Sequence, residues 1–498
     1  MKKLLLVLLV TIFLACDSEE SISDSGDEPV AQSISAYGAN LSEQTVKQAG
    51  TTGEMPVAYL ELCYATSINI PEDQYRLENV FDNDPDTYWA TMPGAGPDEG
   101  IYFSFTEPIE VYEIYLKTVT GSREFDGIKM VRPYINGLEG GTWNPEYSRH
   151  ISGPMKSLFV RIWTTDSTHL TEQGIRYQRD VPVAISEIRV TVIDDDGREV
   201  PLCIVPIAEV TGSVEASSSL EPVEAYGPDF LFDSRPAFGW ADGNENSSGA
   251  GESLTFHFDE PQHIEKVKIW NGYHRSTEHF EHNERASLIS FGLENSTTAE
   301  YSLDDTMESQ IVNLDSPLDG SSFTMDFLEV YPGEVYNDLV VSEMRFFDGD
   351  EWFILDTGND EVRKMDNLEW ARNCDAESFI DRQIYCSTIA PDEYLNDYQS
   401  LVIRSNGSFV LWKVDELYDS NERMYADGNW QIVDDNSIRI FGRLHRLASY
   451  DQDRYDPYAG SWSDQDERLD RMTIFNDTLE FGDGWIRSTR GLFEDFEF

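Results

Sequence analysis

A mainly β chain, with two copies of one sandwich-forming module followed by a smaller antiparallel β domain, is predicted by three observations. The first is length: 498 residues exceed what a single hydrophobic core serves, so about three domains are expected. The second is an internal repeat. "VFDNDPDTYWA" at 80–90 matches "LFDSRPAFGWA" at 231–241, setting Phe81, Asp82, Pro85 and Trp89 opposite Phe232, Asp233, Pro236 and Trp240. In the same order "IYFSFTEPIEVYEIYL" at 101–116 matches "LTFHFDEPQHIEKVKIW" at 254–270, and "AISEIRV" at 184–190 matches "VVSEMRF" at 340–346. The third is the alternation of apolar and polar residues through these segments, the two-residue period of a half-buried strand.

The N-terminus predicts export. "MKKLLLVLLVTIFLAC" has two lysines, an apolar run at 4–15 and a small residue directly before Cys16. It is a secretory signal too short to span a bilayer permanently. The small residue before a cysteine resembles a bacterial lipoprotein signal, which implies that Cys16 becomes the lipid-bearing first residue and anchors the chain through its acyl groups. Asp17-Ser18-Glu19-Glu20 resembles the acidic tag that sends lipoproteins of Bacteroidetes-like bacteria to the outer surface. The expected location is therefore the outer membrane, lipid-anchored and cell-surface exposed. Residues 17–56, rich in Ser, Glu, Gly, Ala and Gln, read as a disordered tether.

Charge narrows the partners. Against 36 Lys and Arg stand 93 Asp and Glu, a formal charge of −57. Such a field repels nucleic acid and anionic lipid headgroups, so neither is expected as a partner and the membrane is met through the lipid anchor alone. The same carboxylates are potential oxygen ligands for hard cations, although an acidic solvated surface accounts for most of them.

The repeats place a first module at 57–210 and a second at 213–357. In each, an alternating strand is followed by a Glu-Pro turn and a second alternating strand. Export permits disulfides, and besides Cys16 the chain has four cysteines, Cys63, Cys203, Cys374 and Cys386. Cys63 and Cys203 bracket the first module while Cys374 and Cys386 lie close together, so these two local pairs are expected. No CxxC spacing supports zinc.

The order "FD…P…W", then "F.F.EP", then a closing "SE(I/M)R" is similar to discoidin domains, also called coagulation-factor type C domains, which implies jelly-roll β-sandwiches. Many such domains carry a disulfide near the positions of Cys63 and Cys203. In the second copy "WNGYHRS" at 270–276, "HNER" at 282–285 and "EVYPGEVYNDLVVSEMRFF" at 329–347 resemble the discoidin subfamily attached to streptococcal NAD glycohydrolase. That resemblance implies a non-catalytic glycan-binding and translocation module; in the first copy it is thinner, and no Asn-Gly-Tyr segment follows the strand. The Asn-Gly-Tyr segment would leave its strand as a loop, where ligand contacts concentrate. Trp270 and Tyr273 offer flat faces to a pyranose, and Asn271, His274, Arg275, Asn283 and Arg285 offer hydrogen bonds to hydroxyls or a carboxylate. Equally, Asn271-Gly272 forms a turn and the two aromatics pack the sandwich edge. A metal site on His274, His279 and His282, completed by Glu278 or Glu281, matches no established spacing.

The resemblance also implies structural calcium. Asp82 with Glu187, joined by Asp84 and Thr87, and Asp233 with Glu343 stand where discoidin-type sugar binders hold Ca²⁺; the same acids can instead cap turns and pair with arginines.

Residues 358–498 differ. After a polar, helix-compatible piece at 366–383, "SLVIRSNGSFVLWKV" at 400–414 reads as a hairpin turning at Asn406-Gly407. Further alternating strands at 426–442 and 471–488 resemble the lipocalin-like meander barrels of secreted bacterial lipoproteins, with an acidic, aromatic insert at 450–470. No GxSxG, HExxH, Walker or GxGxxG motif occurs, so no enzyme is expected. The favoured function is glycan binding. A structural or adhesive protein that binds protein partners is the alternative, with a glycoside-processing enzyme behind it.

Overall fold

The structure is a computed structural model that describes residues 55–498 apart from 95–98, 122, 152, 168, 171–175, 178–180, 195, 245–247, 294–295, 375, 377–378, 389–396, 418–419, 448–472, 483–484, 492–495 and 498. The signal, Cys16, nearly all of the tether and the 450–470 insert lie outside the described residues, as does the Cys386 side chain. Among the described residues no helix is long and apolar enough to cross a membrane.

The first module builds its sandwich around one long strand, Gly100–Thr118. Residues 101–105 pair antiparallel with Val57–Ala65, and 100–104 pair with Pro154–Thr165. Residues 111–118 pair instead with Ala184–Ile193. One strand thus serves both layers. The second module repeats the device: within Ser253–Asn271, residues 254–258 pair with Ala208–Ala216, and 266–271 pair with Val340–Phe347. The Glu-Pro segments are therefore bends inside continuous strands rather than turns between two strands. The register jumps between Ser104 and Ile109 and between His257 and Gln262. Proline supplies no N–H, so the ladder must break at Pro108 and Pro261, and the break is where the strand changes layers.

The repeat extends to hydrogen bonds. Trp89 and Trp240 are fully buried, and their indole N–H groups donate to Ser67 O at 3.0 Å and Ser218 O at 2.9 Å. Each "FD" turn carries a left-handed residue, Asn83 (φ 59°) or Ser234 (φ 60°), and an Asp side chain accepting from the backbone N–H two residues on. The chain passes from the first sheet to the second between Cys203–Val205 and Ala208–Ala216, so 208–212 belong to the second module, ahead of the expected start.

The third module is an eight-stranded antiparallel meander, in strict sequence order from Gln383–Thr388 to Phe496–Glu497. Helix Asn359–Asn373, which begins ahead of the expected 366, packs on it; Trp430, Leu401 and Ile403 are in the core, with Leu368 and Trp370 against them.

The modules seal one another with charge. Arg404 Nε donates to Glu99 Oε1 at 2.9 Å between the third and first modules, both side chains fully buried. Lys364 pairs with Glu72, and Lys268 of the second module with Glu61 of the first.

The Cys63–Cys203 disulfide is not formed. Cys203 lies opposite Val57 in parallel register, and Cys63 is six positions further along that same strand. At about 3.3 Å per residue the separation is roughly 20 Å, whereas a disulfide needs Cα atoms within about 7 Å. The two cysteines bracket the module in sequence, but the strand direction keeps them apart. Alkylation in denaturant without reductant should label both; a linked peptide would overturn this. Cys374 Sγ lies 3.6 Å from Ala371 O, and its expected pairing with Cys386 rests on a side chain outside the described residues.

Candidate functional site

The stretch after Trp270 forms one corner of the second sandwich. Strand Ser253–Asn271 ends, Gly272 turns the chain at φ 93°, and a short helix, Thr277–His282, leads into strand Arg285–Leu293. Glycine is required at 272: a Cβ there would lie 2.6 Å from Arg285 Cγ and 2.8 Å from the Phe280 ring. Ser276 caps the helix, its Oγ accepting from His279 N–H at 3.2 Å.

The corner is packed, not open. Trp270, Asn271, Tyr273, His274, Arg275, Asn283 and Arg285 are each at most 7% exposed. Asn271 clamps the next strand, donating to Ala286 O at 2.8 Å and accepting from Ala286 N–H at 2.9 Å. His274 has its Nε2 3.0 Å from Asn271 O and its backbone N–H on Ser342 Oγ. Arg275 Nε donates to Ala237 O at 2.9 Å, its Nη2 reaches Asn429 of the third module at 3.3 Å, and its guanidinium lies over Tyr273. Arg285 makes a two-pronged pair with Asp305 at 2.9 and 2.8 Å and donates to Asn283 O. Asn283 Nδ2 donates to His279 O at 2.7 Å. Trp270 faces the first module, in a cluster with Leu62, Tyr64, Tyr102, Tyr134 and Phe159, rather than its own sandwich. These side chains position the corner, and their polar atoms are engaged with protein.

Burial pushes the His274 imidazole down to about 4. The folded state therefore holds it neutral, while the unfolded chain protonates it near 6.5. Its contribution is complete above 6.5 and is lost as pH falls toward 4, on the order of 3 kcal/mol. Urea unfolding at pH 7 and 4.5 should show a larger acid loss for the native chain than for His274→Gln; equal losses would remove His274 as a cause.

The three imidazoles do not share a centre. His279 Nδ1 meets Ser276 Oγ at 2.8 Å, and His282 lies edge-on to Tyr336. Among the described residues no three His, Cys, Asp or Glu side chains converge as metal ligands do.

The acids implied for calcium have protein partners. In the first copy Asp82 accepts from Asp84 N–H at 2.8 Å and from Thr87 Oγ1 at 2.6 Å, and Glu187 pairs with Arg189 at 2.6 Å. In the second, Glu343 pairs with Arg345 at 2.7 Å, both side chains almost wholly buried, and Arg345 Nη2 donates to Ser234 Oγ. Burial pushes Asp233 up to about 6 and Glu343 well above the carboxylate range. A guanidinium already supplies the cation there, so this donor set does not fit Ca²⁺.

What the corner does expose is the segment it supports. Glu334 N–H donates to Glu281 O, and Val335 and Tyr336 N–H donate to His282 O at 3.2 and 2.8 Å. Tyr336 is thereby held 40% exposed, its ring 6.4 Å from the His282 ring, with Asn337 exposed beside it. Sequence singled out the segment "EVYPGEVYNDLVVSEMRFF" but not this tyrosine; the Pro-Gly turn before it was the available signal.

Residues 207–347 match the family model described as the NAD glycohydrolase translocation F5/8 type C domain. The second sandwich is a discoidin-type domain. The match starts one residue before strand Ala208–Ala216 and ends on the last residue of Val340–Phe347. Among curated proteins nothing matches the chain. Solved structures similar to it include the family 32 carbohydrate-binding module of Clostridium perfringens NanJ in complex with galactose, at 14% identity, covering 27% of this chain and 92% of that one with a TM-score of 0.22. A C. perfringens family 32 module in complex with GalNAc-β-1,3-galactose also matches, at 14% identity, 29% and 95% coverage and TM-score 0.22. The paired first and second family 32 modules of C. perfringens ZmpB match at 9% identity, 58% and 92% coverage and TM-score 0.22. At such scores no residue role passes from them to the discoidin-type domain here.

Proposed function

We propose that this chain is a non-catalytic glycan-binding protein, anchored through Cys16 to the outer membrane and exposed at the cell surface. The match of residues 207–347 to a translocation-associated discoidin-type family carries the reading. The recognition surface is the rim of the packed corner. Tyr336 offers an apolar face to the C–H side of a pyranose, and Asn337 and His282 offer hydrogen bonds to its hydroxyls. Tyr273, Arg275 and Arg285 act behind it, holding the corner on which 332–339 rests. Glycan-array screening of the soluble chain should find saturable ligands, and Tyr336→Ala should weaken the best of them by about 1 kcal/mol with no change in melting temperature. An empty array, or a ligand indifferent to Tyr336→Ala, would sink the assignment.

A further inference from the structure

The third module carries a cleft that glycan recognition does not use. It encloses about 480 Å³ and is lined by Asp366, Glu369, Trp370, Asn373 and Asp435. All but Asp435 come from the last two turns of helix Asn359–Asn373; Asp435 sits in the turn between strands Ser420–Asp434 and Ser437–Leu447. The aromatic wall is fixed. The Trp370 indole N–H donates to Asp434 O at 2.9 Å, and its ring rests on Trp430 and Phe481 at centroid distances of 5.9 and 5.8 Å.

The carboxylates, the indole and the helix end of this cleft all favour positive charge. Among the described residues Asp366, Glu369 and Asp435 form no ion pair, although cations elsewhere on the same helix do: Lys364 with Glu72 and Arg363 with Asp360. The helix ends there, and the negative end of its dipole favours a cation. An indole face is the strongest side-chain partner for an ammonium group. A hard metal ion is a poorer fit, since it needs several oxygens converging on one point, and among the described residues no such group exists. A neutral sugar would gain nothing from the carboxylates' charge.

We propose that this cleft binds an organic cation, an ammonium-bearing small molecule or substituent seated on Trp370 between the carboxylates. The inference is independent of glycan binding at Tyr336.

The test is titration of the full chain with choline and with putrescine, followed by tryptophan fluorescence, with glycerol as the uncharged control. Saturable binding of either cation is expected, choline alone marking a quaternary ligand and putrescine alone a primary amine. Glu369→Gln with Asp435→Asn should weaken it about tenfold, and raising salt from about 50 to about 500 mM should weaken it further. Both substituted residues lie at the surface, and an unchanged melting temperature would verify folding. Tyr336→Ala should leave cation binding intact. Saturation by neither cation, equal binding by the double variant, or an equal response to glycerol would each overturn the proposal.

Discussion

Glu343→Ala should destabilise the second sandwich by about 3–5 kcal/mol, because it leaves the Arg345 guanidinium buried without the carboxyl group that binds it. Arg345 is almost wholly enclosed, and its remaining contacts, Ser234 Oγ at 2.8 Å and the Met344 carbonyl at 2.6 Å, carry no full charge. Replacing the pair together, as Glu343→Leu with Arg345→Met, should recover most of the loss, since well-packed apolar residues of similar volume often match a buried ion pair. Calorimetry of the single and double variants separates the two outcomes. A single variant as mild as the double would mean that water reaches the guanidinium.

The same cluster makes a pH prediction. Burial raises both carboxyls, Asp233 to about 6 and Glu343 well above the carboxylate range. The folded value lies above the unfolded one. Stability from the Asp233 proton is therefore complete below about 3.9 and is lost as pH rises through about 6. His274 acts in the opposite direction over an overlapping range, which is why the two effects need their own variants.

The sequence made the repeat legible because its signals are local or strictly spaced. "FD" turns, the tryptophan at their end and the closing "SE(I/M)R" strand impose the same hydrogen bonds twice, down to Trp89 on Ser67 and Trp240 on Ser218. Strand alternation was equally clear, although it could not distinguish a turn at Glu-Pro from a bend that hands one strand to a second layer. The site was less legible for a different reason. A cluster of Trp, Tyr, His, Arg and Asn looks like a ligand surface until its partners are known, and those partners are remote in sequence: Asp305 for Arg285, Asn429 for Arg275 and the first module's aromatics for Trp270. Exposure at Tyr336 has the same origin, because it depends on which carbonyls of the corner hold the segment. The cysteines repeat the point, since sequence bracketing carries no strand direction.

Trp270→Ala should cost about 3–5 kcal/mol, the range for emptying a buried tryptophan site, and the loss should appear between modules rather than within one. The indole sits against Leu62, Tyr64, Tyr102, Tyr134 and Phe159, all from the first sandwich. Two cations of its own module, Lys268 at 5.3 Å and Arg345 at 5.5 Å, lie over its ring. Lys268 also pairs with Glu61, and Arg235 donates to Ala65 O at 2.8 Å while lying over Tyr64. The indole is thus the apolar centre of a junction whose rim is charged, an arrangement in which the central residue carries most of the energy. Removing it should split a shared calorimetric transition of the two sandwiches into separate ones and expose the 203–208 connection to protease. The second sandwich should still fold, because its own core, including Trp240, Phe256, Phe323 and Met344, does not use Trp270. Unfolding of that sandwich alone, with the first unaffected and no new cleavage at the connection, would instead make Trp270 a residue of its own module's core.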